Sequence, residues 1–230
     1  MNLIFILLFV FTLAISLLAA WRVKRVYLRY SRVPASSGLS GAEVAAQILQ
    51  RAGITDVEIA EHDEMLGDHY DPLHKRLVLS SQNFHGTSTA ALGVSAHECG
   101  HAIQHQLAYA PLKWRMAAVG VTNYASQIVA FLPLIGMATG LLSTVTGLAV
   151  MAVAWGIIMA FNLVTLPVEF DASRRATAIL GGMGFIGTDE EMSAVRQVLN
   201  AAGWTYVAAF VTSLLYLLIH LLPLLTGRRD

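Results

Sequence analysis

The chain alternates between long apolar runs and shorter polar ones. Residues 2–20 (NLIFILLFVFTLAISLLAA) carry no Asp, Glu, Lys or Arg. A second charge-free stretch runs the whole way from Arg115 to Glu169. A helix needs about 20 apolar residues to cross about 30 Å of hydrocarbon. The first stretch therefore predicts one crossing and the second predicts two. Pro133, Gly136 and Gly140 mark the expected turn between them, giving spans near 116–135 and 141–166. A further apolar run at 204–225 predicts a fourth span, followed by Gly227-Arg228-Arg229-Asp230. A full fourth crossing would leave Arg228 and Arg229 on the outer side, against the usual bias, yet four spans remain the expected count.

The first run differs from a cleaved signal peptide because its basic residues follow the apolar core instead of preceding it. Arg22, Lys24, Arg25, Arg29 and Arg32 all lie on its C-terminal side. Residues 1–21 are expected to be an uncleaved anchor, with the chain after it on the cytoplasmic side.

Two polar regions remain, 33–115 and 167–203. Pro34 to Gly38 (PASSG) reads as a linker. Ser40 and Glu43 form a capping-box pattern that predicts a helix over 41–52, ended by Gly53. Residues 56–60 and 76–80 read as strands, the second after a turn at Asp71-Pro72. An Ala-rich helix is expected from Ser88 to about Gln106. In the second region one helix is expected to begin near Pro167. Another is expected from a capping box at Thr188 to Glu191, ending before Gly203. Residues 204–226 then form the C-terminal span. The predicted fold is mostly α and integral to a membrane: a transmembrane helix bundle with a catalytic region that holds a small β element.

Composition agrees. Apolar residues make up 56% and charged residues 13%, against about 25% charged in an ordinary soluble domain. Net charge is zero, so the overall charge gives no reason to expect nucleic acid as a partner. Cys99 is the one cysteine, which excludes an internal disulfide.

Residues 97–101 read His-Glu-Cys-Gly-His, the H-E-x-x-H pattern. On a helix, positions i and i+4 share a face, so His97 and His101 can reach one metal ion. Zinc (Zn2+) is the expected occupant. It would acidify a bound water, and Glu98 would take that water's proton for attack on an amide carbonyl. Cys99 points nearly half a turn away and is expected to be a small buried residue. Gly100 costs roughly 1 kcal/mol relative to Ala inside a helix, which a closely packed backbone would explain. His105 continues the series but lies about 12 Å along the axis from His97. It is expected to pack nearby and not to ligate.

A catalytic zinc usually has three protein ligands. Glu169 is the leading candidate for the third, with Asp171 as the alternative. Asp171 could instead hold His97 or His101 by an outer hydrogen bond. His97 and Glu169 can meet only if an even number of crossings separates them, and the length argument supplies two.

HECGHAIQHQ, with the upstream DHYDP and RLVLSSQNFHG and the downstream EFDASRRA, resembles the YugP-type neutral zinc metallopeptidases of bacterial membranes. The likeness in layout covers nearly the whole chain. It implies a gluzincin-like, zincin-type endopeptidase with His97, His101 and Glu169 as zinc ligands and Glu98 as catalyst. The expected location is the bacterial inner membrane, with the lipid bilayer as surroundings and a peptide or protein as substrate, although the resemblance itself supplies no substrate. The chain is similar as well to membrane proteases of the HtpX and CAAX-processing type, whose third ligand lies in E-x-x-A-D. Here Ser173 stands at the place of that aspartate.

Residues 76–82 are positioned to bind an extended substrate by edge pairing, which requires one free edge. His69, Tyr70, His85 and His105 are possible oxyanion donors. A non-hydrolytic scaffold or chaperone would usually lack the base, whereas Glu98 is present. A zinc sensor or transporter would place ionisable groups inside the spans, which hold almost none except His220.

Overall fold

The computed structural model describes residues 3–63, 67–141 and 144–227. The elements in order are α1 (Leu3–Tyr30), α2 (Gly41–Arg51), β1 (Glu58–His62), β2 (His69–Asp71), β3 (Arg76–Ser80), α3 (Ser81–Phe84), α4 (Thr89–Gln106), α5 (Ala110–Thr139), α6 (Val145–Gly182) and α7 (Asp189–Thr226). The protein is mostly helical. Among the described residues, α1, α5, α6 and α7 are long and apolar enough to cross a bilayer. Only 6% of the most apolar window of α1 is buried inside the protein. Its exposed Leu, Ile and Phe side chains are placed for lipid and not for water. Residues 1 and 2 of the expected anchor, residues 142 and 143 of the third span, and the terminal Arg228-Arg229-Asp230 lie outside the described residues.

Three boundaries differ from expectation, each at a helix breaker. Pro133 lies inside α5, and the chain turns only at Gly140, whose φ of 71° favours glycine. Pro167 lies inside α6 and does not open a new helix. At 38 residues, α6 is about 57 Å long by its rise of 1.5 Å per residue. That exceeds the hydrocarbon of a bilayer, about 30 Å, and the surplus carries the charged stretch from Glu169 to Arg175. Gly203 likewise lies inside α7. A Cβ there would meet the Phe170 ring at 3.2 Å, so the missing side chain is what admits Phe170.

The chain divides into two compact units. The first joins Met1–Leu17, Lys113–Leu166 and Thr205–Asp230. Its helices are tied by polar and aromatic contacts. Asn162 donates to Ser213 Oγ at 3.0 Å. The Trp155 and Tyr216 rings stack at 4.5 Å. His220 is buried, with Nδ1 2.7 Å from the Tyr216 carbonyl oxygen and its ring edge-on to Phe5. The Asn162–Ser213 bond joins α6 to α7, whereas the His220 bond lies within α7.

The second unit joins Leu18–Leu112 and Pro167–Trp204. Its core includes Val44, Ile48, Leu77, Leu79, Leu180 and Val195. The predicted capping box of α2 is present: Ser40 Oγ accepts from Glu43 N, and Glu43 Oε2 accepts from Ser40 N at 2.8 Å. At α7 only half of the box forms. Thr188 Oγ1 accepts from Glu191 N, while the Glu191 carboxylate accepts instead from Gly187 N and from Ser36 N and Oγ. The stretch read as a linker is thereby pinned, and Ala35 within it is buried.

The sheet order is β1-β3-β2, with β1 parallel and β2 antiparallel to β3. β3 is the central strand and has neighbours on both sides. This overturns the expectation that residues 76–82 offer a free edge to substrate. The strand β2, within DHYDP, was not legible as a strand. Asp71 caps the turn after it by accepting from Leu73 N and His74 N. Asp68, half-buried, accepts from Ser80 N and Asn83 Nδ2, and Asn83 accepts from Tyr27. Burial, and then the charge of Asp68, push the Tyr27 hydroxyl up to about 12.

Candidate metal centre

The helix that carries the H-E-x-x-H pattern begins where Ser88 caps it, accepting from Ala91 N at 3.2 Å. It is buried along most of its length. Gly100 explains how close α6 comes. A Cβ on Gly100 would stand 2.8 Å from the Ala172 carbonyl oxygen and 3.1 Å from its Cα. The two backbones touch within one turn of both His97 and Glu169, and only glycine permits it.

That approach brings three side chains together. His97 Nε2 lies 3.2 Å from Glu169 Oε2, and His101 Nε2 lies 3.5 Å from the same oxygen. The two imidazole rings are 4.8 Å apart and nearly perpendicular, at 84°. One ligand atom from each of the three residues lies within 4.8 Å of the others. Two ligand atoms at bond lengths near 2.0–2.1 Å and a tetrahedral angle stand about 3.3 Å apart. The measured His–Glu spacings bracket that figure, and a two-nitrogen, one-oxygen donor set is one that zinc accepts. The residues present fit the ion.

Electrostatics point the same way. Burial disfavours a charged Glu169, but hydrogen bonds and charge from His101 and His97 outweigh it. Its carboxyl is held well below the usual carboxylate range. Burial would lower His101, but its bond to Glu169 and the charge of Glu98 raise it instead. The cluster thus favours positive charge at its centre.

The outer nitrogens of both rings are also held. Ser173 Oγ lies 3.1 Å from His97 Nδ1, and Gln104 Oε1 lies 3.0 Å from His101 Nδ1. Gln104 Nε2 donates to the Val168 carbonyl and to Asp171. Asp171 in turn accepts from Arg174 and Arg175. Asp171 therefore touches neither histidine and acts one residue removed, through Gln104. Both partners were missed from the sequence, although their helical spacings were visible: Gln104 is i+3 from His101 and Ser173 is i+4 from Glu169.

Glu98 is buried and, among the described residues, has no hydrogen-bond partner. Cys99 is fully buried in the core, where desolvation and then the charge of Glu98 raise its thiol far above the usual range. His105 pairs with Tyr70, Nδ1 to Oη at 2.9 Å, outside the three-residue cluster. His69 binds the Gly67 carbonyl and His85 pairs with Glu61, both on the surface.

Comparison with known proteins covers almost the whole chain. The profile of a family described as "Putative neutral zinc metallopeptidase" matches residues 5–225. The chain is 42% identical over 227 residues to the "Putative membrane protease YugP" of Bacillus subtilis (strain 168), covering 99% of each. No solved structure gives a significant match.

Proposed function

This chain belongs to the family described as "Putative neutral zinc metallopeptidase", and on that premise we propose that it is a membrane-bound, zinc-dependent endopeptidase. The observation that carries this reading is the convergence of Glu169 Oε2 on the two H-E-x-x-H nitrogens, at 3.2 and 3.5 Å. In this reading His97, His101 and Glu169 hold the ion, as in a gluzincin. A bound zinc supplies Lewis acidity, which lowers the pKa of water and polarises a carbonyl. Glu98 takes a proton from the attacking water and returns it to the leaving amine nitrogen, the two transfers that amide hydrolysis needs. Its unpaired, buried carboxylate supports that role. Ser173 and Gln104 hold the outer ring nitrogens, which keeps both imidazoles aimed at one point.

Residues 1–21, the hairpin of 116–166 and residues 204–226 serve as membrane segments, and 33–115 with 167–203 form the catalytic region. The basic run from Arg22 to Arg32 favours the cytoplasmic face of the bacterial inner membrane for that region. A peptide or protein is the substrate.

The test compares detergent-purified wild type with Glu98→Gln, measuring bound zinc and cleavage of casein or a peptide library. Both proteins should hold about one zinc. Cleavage by Glu98→Gln should fall by about 10²–10⁴-fold, the usual contribution of a general base. Zinc without cleavage in the wild type would favour a scaffold or sensor. A wild type that takes up no metal would overturn the reading.

A further inference from the structure

Gln104 lies three residues beyond His101 on α4, and none of its surface reaches solvent. Its amide has two ends that are not interchangeable: the nitrogen only donates and the oxygen only accepts. The nitrogen stands 2.8 Å from the Val168 carbonyl oxygen and 2.9 Å from Asp171 Oδ2. Both are acceptors. The carbonyl has no proton to give, and the Asp171 carboxylate already receives Arg174 and Arg175. Turning the amide over would set oxygen against oxygen twice at a side chain that is fully buried. The amide oxygen is therefore committed to His101, whose Nδ1 lies 3.0 Å away. An acceptor there requires a proton on Nδ1. A neutral imidazole protonated at Nδ1 carries its lone pair on Nε2, the atom that faces Glu169.

We propose that Gln104 is a positioning residue that sets the tautomer of His101, and that Asp171 and the Val168 carbonyl act by orienting Gln104. His97 is held in another way. Its partner is the Ser173 hydroxyl, which can donate or accept, so that contact aims the ring without assigning its proton. The two histidines of one motif are thus unequal: one has its metal-facing lone pair dictated by the protein, and the other adapts. The inference rests on the zinc-binding reading of the three-residue cluster.

The experiment uses the full-length protein in detergent, wild type beside Gln104→Met and Asp171→Asn, with zinc itself as the ligand. Zinc affinity is read by competition with a chelator. The His101 Nδ1 proton is read by NMR of zinc-loaded protein labelled with ¹⁵N-histidine. Affinity should fall about 10–100-fold in Gln104→Met, the usual cost of an outer hydrogen bond to a metal-bound histidine, and by a smaller factor in Asp171→Asn. In Gln104→Met the His101 Nδ1 proton loses its acceptor and should move upfield and exchange faster than in the wild type, while the His97 signal stays. A general packing defect would move both. An unchanged His101 proton, or wild-type affinity in both variants, overturns the inference alone. If Gln104→Met does not fold, Asp171→Asn decides, and wild-type affinity there overturns it. A wild type that binds no zinc overturns the reading beneath it as well.

Discussion

Gly100 on α4 faces the backbone of Ala172 on α6 so closely that a Cβ would stand 2.8 Å from the Ala172 carbonyl oxygen. Ala172 is flanked by Asp171 and Ser173 and lies three residues from Glu169. The contact therefore fixes the distance between the helix that carries the histidines and the one that carries the acid. Gly100→Ala should gain roughly 1 kcal/mol of helix propensity but lose about 1–3 kcal/mol by overpacking against backbone. The expected result is a lower thermal midpoint together with weaker zinc retention. A variant more stable than wild type that binds zinc normally would show that the close approach is not needed.

The three-residue cluster predicts which substitutions release metal. His97→Ala, His101→Ala and Glu169→Ala should each lose zinc on purification, as measured by elemental analysis. His105→Phe should keep it, because His105 pairs with Tyr70 and not with the cluster. Zinc loss from His105→Phe equal to that from His101→Ala would contradict this geometry.

The metal-free protein should have a bell-shaped stability profile. Glu169 is depressed in the fold, so its contribution is present above the unfolded carboxylate value and lost as pH falls through the folded one. His101 is raised, so its contribution is present below the unfolded imidazole value and lost as pH rises through the folded one. Both act together between about pH 4.3 and pH 6.5, the ordinary Glu and His values. Thermal melts of chelator-treated protein across pH should peak in that window. Glu169→Gln should flatten the peak.

Cys99 should be inert in the native protein. Burial, and then the charge of Glu98, push its thiol up, and the thiolate is the reactive form. Maleimide labelling near pH 8 should be negligible until denaturant is added and then go to completion. Rapid labelling of folded protein would mean that α4 opens locally.

Much of the protein was legible from local pattern. Charge-free length announced the membrane helices, because hydrocarbon tolerates few ionised groups. The i, i+4 spacing of His97 and His101 put both rings on one helical face, because 3.6 residues make a turn. The box at Ser40 and Glu43 closed as read, because both partners lie within one turn. The turn expected over Pro133 to Gly140 falls at its Gly140 end, and the helix boundaries expected at Pro167 and Gly203 are absent, because a breaker's local cost is small beside the packing of a long helix. At Gly203 the missing side chain is itself the packing feature, since it makes room for Phe170.

What only the tertiary structure decided involves pairs far apart in sequence. β3 became a central strand because β2, too short to read as a strand, pairs along its second edge. The sequence named Glu169 and Asp171 as candidates for one role. Their helix, seated on Gly100, separated them: Glu169 faces the histidines, and Asp171 faces Gln104. Sequence by itself determined the two histidines and the membrane helices, because spacing and hydropathy act over a few turns of one helix. Which acid meets those histidines, and which groups hold their outer nitrogens, depended on how α4 and α6 meet, and that contact spans 72 residues of chain at His97 and Glu169.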